Sequence, residues 1–364
     1  MTMNKKRIMV IQPYITNYRL PIFKSFSKEY KTTLCASVDN SFNVDLNMND
    51  KNFYFIKTYE KKILNGKLFW QSGLIEYFNR KKYDFLFITA NPRYLSTWVL
   101  LIFAKFKNKK VFLHGQGLYS KTNISILNRL IYFMFNILCE KYICYTNSSK
   151  DSLKKLSIYN KCEVADNSIV NENSIEKEDI SQKGILFIGR LRESSNIEML
   201  IKSIIKINVN NNIFSLHIIG GGDSLERLKS EYQYDWIKFY GVVYDNKIIS
   251  EISKQCILGC YPGDAGLSVL HYMSLSLPVI LHSNLKQHMG PEASYIEDDI
   301  EGTYFIRNNQ DSLEKTLKIL IENKNKIISM QRSAYKKYKN ITDFSLSDRF
   351  LEIIKNTEMN IENT

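Results

Sequence analysis

The stretch GCYPGDAGLSVLHYMSLSLPVI, residues 259–280, decides how this chain is read. An apolar β-type run breaks at the glycine turn Gly263-Asp264-Ala265-Gly266 and gives way to an apolar run with helical spacing. That run stops at Pro278, just before another strand-like segment. Strand, turn, helix, strand is the repeating unit of a parallel α/β sheet. The carboxyl end of such a strand is where these sheets hold ligands. Glycine lets a ligand approach the backbone, and helix amides favour anions.

Two more turns have the same setting, FIGRL (187–191) and IIGGGD (218–223). Three such turns in one half of the chain, with Arg190 beside Gly189, predict a phosphate-bearing ligand. Gly220, Gly221 and Gly266 are further candidates to line its site. No turn matches G-x-x-x-x-G-K-S/T, so the chain is not a P-loop nucleotidase. G-x-G-x-x-G is missing near the first strand, which argues against a dinucleotide oxidoreductase.

Working outward, the second half reads as strand GILFIG (184–189), helix NIEMLIKSIIKI, strand SLHIIGGG, helix SLERLKSEY, strand IKFYGVV, helix KIISEISKQ, and then the opening stretch. The first half alternates in the same way. RIMVIQ (7–12), TTLCASV, FYFIKT, FLFITA, KVFLHG and KYICYTN are short β-type runs, and YLSTWVLLIFAKF has helix length. Between the halves, residues 163–183 turn polar and acidic without periodicity and are expected to link two domains. The expected division is 1–170, 183–340, and a C-terminal segment 341–364 whose helix SLSDRFLEIIKNT returns to the first domain.

The 364 residues carry a net charge of +13. Residues 1–180 hold 28 Lys+Arg and 15 Asp+Glu, a difference of +13, while residues 181–364 hold 22 of each. The excess therefore belongs wholly to the first half. An anionic membrane surface, nucleic acid and a polyanionic substrate compete to explain it. No zinc-finger or RNP signature supports nucleic acid, and none is expected as a partner. The basic-aromatic stretch 59–83 is the expected docking surface for a membrane. The six cysteines lack CxxC or metal-ligand spacing and read as reduced, buried thiols of a cytoplasmic protein. The N-terminal apolar run is too short for a signal peptide. The most apolar stretch, 126–145, is broken by Arg129, Glu140 and Lys141, so the protein is not expected to span a membrane.

FLHGQGLYS (112–120) places His114 after a strand, with Gly115 and Gly117 beside it. Imidazole in such a turn can donate to hydroxyls or shuttle protons, whereas in a core it only packs. IQPYITNYRLPIF (11–23) is a second cleft-loop candidate. Its Arg19 either meets an anion or ties the loop to its domain.

PYITNYRLPIF, FIGRLRESSNIEMLIKSI, IIGGGDSLERL, FYGVVYD and PGDAGLSVLHYMSLSLPVI occur in an order and at a spacing that resembles glycosyltransferase family 4. PGDAGLSVLH followed by LHSNLKQHMGPEASYI is similar to a branch found in bacterial capsule and O-antigen clusters. The resemblance implies a GT-B fold, two Rossmann-like domains facing a central cleft, the second binding a nucleotide-sugar. It implies glycosyl transfer with retention of configuration and no resident cofactor or metal; no DxD motif is present.

Two positions depart from the family's pattern. Its Glu-x7-Glu pair falls at Gly263 and His271, and the lysine of its GRLxxxK pattern falls at Ser195. The resemblance leaves Arg190, the amides of Gly266, Leu267 and Ser268, and Ser195 to hold a diphosphate, with His271 at the ribose. His114 and Arg190 become the expected catalytic residues. The implied enzyme moves a sugar, most simply from a UDP-sugar, to a lipid-linked glycan at the inner face of the cell membrane. The alternative is an inactive relative kept as a binding or scaffold protein.

Overall fold

The computed structural model describes residues 5–16, 18–37, 51–178, 181–209 and 214–362. Asn17 of the candidate loop and Val38 of the second predicted strand lie outside them. The chain forms two compact units, one of residues 1–167 with 345–364, the other of residues 168–344.

The first unit contains β1 (Arg7–Tyr14), α1 (Leu20–Lys24), β2 (Lys31–Ser37), β3 (Phe53–Ile63), β4 (Leu68–Ser72), α2 (Leu74–Arg80) and β5 (Phe85–Thr89). It continues with α3 (Leu95–Phe106), β6 (Lys110–Gly115), α4 (Ile126–Leu138), β7 (Lys141–Cys144), α5 (Asn147–Asp151) and β8 (Cys162–Val164). Its sheet runs β4-β3-β2-β1-β5-β6-β7-β8, parallel except for the β3–β4 hairpin. Strands such as Arg7–Tyr14 bury five consecutive residues, Ile8 to Gln12, because both faces of the sheet are covered. One face packs α2, α3 and α4 through Leu74, Leu100, Leu101 and Phe135. The other packs α1 through Leu20 and Phe23.

The second unit contains β9 (Gly184–Ile188), α6 (Ile197–Asn208), β10 (Ser215–Ile219), α7 (Leu225–Glu231), β11 (Ile237–Gly241), α8 (Asn246–Ser253) and β12 (Cys256–Cys260). It is completed by α9 (Ser268–Ser274), β13 (Val279–His282), β14 (Gly302–Phe305), α10 (Gln310–Glu322) and α11 (Lys324–Thr342). Its six strands run β11-β10-β9-β12-β13-β14, and every pairing is parallel. A last helix, α12 (Leu346–Glu362), belongs to the first unit, where Phe350 and Ile354 join the α1 face of the core.

Both sheets have the doubly wound order, so each has a point where successive crossovers leave in opposite directions. Ligands bind at the carboxyl ends of the strands flanking that point. In the first unit these strands are β1 and β5, and in the second β9 and β12.

The residues read as a linker are partly structured. Cys162–Val164 pairs with β7, and residues 169–177 are held on the second unit. Ile175 N–H donates to Ser274 O at 2.9 Å, and the Asn171 side chain donates to Ser274 Oγ at 3.0 Å. All six cysteines are buried and unpaired. Among the described residues no helix is long and apolar enough to cross a membrane.

Candidate functional site

The second unit gathers most of the sequence candidates at its switch point. β9 leads into Gly189 and exposed Arg190, and β12 leads into Tyr261 and the 262–267 turn ahead of α9. Gly189 lies under the Tyr261 ring, where a Cβ would come within 2.5 Å. Gly220 is crowded by its neighbour, since a Cβ there would lie 1.8 Å from Gly189 O. Gly220 and Gly221 therefore owe their identity to packing between turns; a Gly221 Cβ would meet Val242 at 2.6 Å. Gly266 is different. Its position is open, with Met289 Cβ the nearest atom at 3.8 Å.

Three buried polar atoms around the open turn have no partner among the described residues: Arg192 Nε, Ser268 Oγ and His271 Nδ1. Ser268 and His271 are three apart on α9 and share a face. Buried polar atoms are nearly always hydrogen-bonded, so three orphans at one turn leave hydrogen-bonding capacity there that the described residues do not use. Burial of His271 lowers its pKa to about 4, so the ring is neutral at pH 7 and offers one donor and one acceptor. Leu267 precedes α9 as its N-cap residue, and no side chain caps that end.

Ser195 does not reach this space. It is fully buried, and its hydroxyl donates to Arg192 O at 2.6 Å. The expected contact between Ser195 Oγ and a diphosphate has no free hydroxyl to make it. Arg192 is the cation that leans over the turn, its guanidinium against Met289 Sδ and near the Tyr261 hydroxyl.

A bracing network that sequence reading missed supports the turn. Asp264 Oδ1 accepts from Arg307 Nη2 at 3.0 Å and faces His282 Nε2 at 3.2 Å. His288 Nδ1 accepts from the Ala265 N–H at 3.0 Å, so its Nε2 carries the proton and donates to His282 O at 3.0 Å. The two imidazoles stack at 3.8 Å with an interplanar angle of 3°. Burial is the main force lowering both pKa values, to about 4 for His288. The signal lies in LHSNLKQHMG, whose two histidines enter the sequence analysis only through the resemblance.

In the first unit, His114 is the penultimate residue of β6, opposite Thr89 of β5. Its ring is buried, stacked on Tyr145 at 4.4 Å and edge-on to Phe350 at 4.7 Å, with neither nitrogen partnered among the described residues. Burial, then the charge of Arg19, hold its pKa well below the ordinary histidine value. Arg19 lies 5.6 Å from the Tyr145 ring and donates to Asn167 Oδ1 at 3.1 Å. His114 and Arg19, far apart in sequence, thus share one aromatic neighbour. Gln12, two residues before the end of β1, accepts from Thr89 Oγ1 at 2.7 Å, and its Nε2 has no partner among the described residues. Gly115 and Gly117 are packing glycines. Cβ atoms there would meet the Tyr142 hydroxyl at 2.4 Å and Ser149 O at 2.6 Å. Among the described residues no group of His, Cys, Asp and Glu is arranged to hold a metal ion.

Residues 170–339 match the model of the family described as glycosyl transferases group 1. The chain is a glycosyltransferase. Its architecture is the GT-B fold, and solved structures agree along nearly its whole length. A glycosyltransferase from Rickettsia africae superposes with a TM-score of 0.72 at 15% identity, covering 99% of this chain and 100% of that one. Anabaena HepE in complex with UDP gives 0.71 at 14% identity, with the same coverage. The lipopolysaccharide outer core galactosyltransferase WaaB gives 0.70 at 12%, covering 96% of this glycosyltransferase and 99% of WaaB. No curated protein matches the chain in sequence.

Proposed function

We propose that this glycosyltransferase takes a UDP-sugar and transfers its sugar, with retention of configuration, to a lipid-linked glycan in surface polysaccharide synthesis. The observation that carries the donor reading is the set of orphaned polar atoms around the open Gly266 turn, at the switch point of the second unit. Structures of similar fold support it: HepE has been solved with UDP and with UDP-glucose. WaaB, named for lipopolysaccharide outer core, supports the acceptor class.

In this reading the diphosphate sits on the amides of Gly266, Leu267 and Ser268, with Arg190 and Arg192 supplying positive charge. As the glycosidic bond to the diphosphate breaks, negative charge grows on the phosphate oxygens. Cations already in place stabilise that charge without reorganising. Neutral His271 offers Nδ1 to a ribose hydroxyl, where a carboxylate would instead add negative charge near the phosphates. His114, also neutral, hydrogen-bonds a hydroxyl of the reacting sugars. A lipid-linked acceptor places the enzyme at the cytoplasmic face of the cell membrane.

The test is a thermal-shift screen of nucleotide-sugars, since ligands of the native state raise its melting temperature. Stabilisation by UDP and one UDP-sugar is expected, with the product's anomeric configuration read by NMR. A screen in which no nucleotide-sugar shifts the melting temperature overturns the donor reading, and an inverted product overturns retention.

A further inference from the structure

The helix α4 buries one face and leaves the other bare. Tyr132, Phe135 and Leu138 pack into the core beside α3. On the opposite side Ile126, Leu127, Leu130, Phe133, Met134 and Ile137 are exposed, Ile126 by 78%. These positions follow the three- and four-residue spacing of a single helix face. The neighbouring helix α3 exposes Ile102, Phe103 and Phe106, the last by 85%. The two helices belong to one layer, joined by Trp98 of α3 stacked on Phe135 of α4 at 4.6 Å. Apolar patches of this kind on a soluble surface mark a binding face.

Charge identifies the occupant. Residues 85–139 contain no Asp or Glu but seven cations: Arg93, Lys105, Lys107, Lys109, Lys110, Lys121 and Arg129. Lys105, Lys107, Lys121 and Arg129 are exposed. A second copy of the chain seated on the same face would set these cations against their own like, with no carboxylate from α3 or α4 to answer them. An anionic bilayer answers both features at once. Its headgroups pair with the cations, its acyl boundary receives the apolar side chains, and Arg129 can keep its head in the headgroup layer while its stem lies among them.

We propose that α3 and α4 form the docking face by which this enzyme lies on an anionic membrane, α4 resting in the interface plane. The inference rests on the proposed lipid-linked acceptor for its purpose, but not for its geometry. It also moves the docking surface away from residues 59–83. That stretch forms the end of the β3–β4 hairpin and α2, where Glu60 and Glu76 interrupt the positive charge.

The experiment is flotation of the full chain with vesicles of phosphatidylcholine alone and of phosphatidylcholine with phosphatidylglycerol. The enzyme should float only with the anionic vesicles and be released by salt. The triple variant Leu127→Ser/Leu130→Ser/Phe133→Ser should stay in solution with its melting temperature retained. Lys105→Gln/Lys107→Gln/Arg129→Gln should lower partitioning roughly a hundredfold, since each cation near such a surface contributes about 1 kcal/mol. Equal flotation of the wild type and the apolar triple variant, or wild type that binds UDP yet never floats, overturns the proposal. So does a lipid-free dimer that the triple variant dissolves. UDP titration runs alongside: a chain that floats but ignores UDP sinks the donor reading and leaves the docking face standing.

Discussion

Gly263 lies so close to Ser195 that a Cβ added to it would sit 2.6 Å from the Ser195 carbonyl carbon and 2.1 Å from Ser194 O. Asp264 N–H donates to the same Ser194 oxygen at 3.1 Å, locking the two turns together. Gly263 and Ser195 are the two positions at which the resemblance to glycosyltransferase family 4 leads one to expect Glu and Lys. The absences are therefore one arrangement: a side chain at 263 has no room because the backbone at 194–195 fills the space.

It follows that Ser195→Lys should not tighten UDP binding. The serine side chain is wholly buried and bonded to Arg192 O, so a lysine would have to force its way out past packed backbone. Overpacking of this kind costs about 1–3 kcal/mol. The expected result is a lower melting temperature and UDP affinity equal to or below wild type. Isothermal titration giving tighter binding would show that a cation is missing and that Arg192 does not stand in for it.

Arg190→Ala should reduce turnover at least about tenfold, the effect of removing one charged contact worth roughly 1.4 kcal/mol where charge develops. Arg190 is exposed at the end of β9, so its loss should leave the melting temperature nearly unchanged. Arg192→Ala should weaken UDP binding instead, because its guanidinium already leans over the open turn. Steady-state kinetics beside UDP titration separate the two. Full activity of a folded Arg190→Ala protein removes that residue from the site.

What the sequence disclosed and what it hid divide along physical lines. β9 and β12 were legible because each is a five-residue apolar run ending at a glycine turn. The short strands β4, β8 and β14 lack that pattern: β4 is half-exposed in a hairpin, and β8 has three residues. Helices α10 and α11, across 310–342, went unread because charged residues crowd their exposed faces and obscure the apolar stripe of Leu313, Leu317 and Leu320. The bracing of the turn could not be seen at all. Asp264 meets His282 18 residues away and Arg307 43 residues away, and only the strand order brings them together. His114 was visible through its glycines, yet Phe350, the ring against it, arrives from the last helix of the chain.

His114→Phe separates chemistry from packing. An aromatic ring in the same place keeps the stacking with Tyr145 and the edge contact with Phe350, while removing both nitrogens. Since those nitrogens have no partner among the described residues, folding should tolerate the change or gain from it. If they serve a sugar hydroxyl, kcat should fall by at least about tenfold with UDP affinity unchanged. Unaltered kcat in a protein of equal or higher melting temperature leaves His114 as a core residue.

Acid should unfold this protein earlier than its carboxylates alone require. All five histidines, His114, His217, His271, His282 and His288, have pKa values lowered chiefly by burial, to about 4 for His217, His271 and His288. In the unfolded chain each titrates near its ordinary value of about 6.5. Between those limits the unfolded state binds more protons than the native one, so stability rises with pH across that window and is lost as pH falls through it. Inside that window each histidine adds a slope of at most about 1.4 kcal/mol per pH unit; the stability it contributes is whole above about pH 6.5 and is gone once the pH has fallen through its lowered folded-state pKa. Urea midpoints should therefore drop steadily from pH 7 to pH 5, with proton uptake on unfolding of more than one per chain. His217→Gln should flatten part of that slope, since His217 stands outside the proposed site, held between Ser215 Oγ at 2.9 Å and Tyr240 Oη at 2.8 Å. A midpoint constant between pH 7 and pH 5 would mean that the rings take up protons without unfolding the chain, and that the burial described here does not govern their charge.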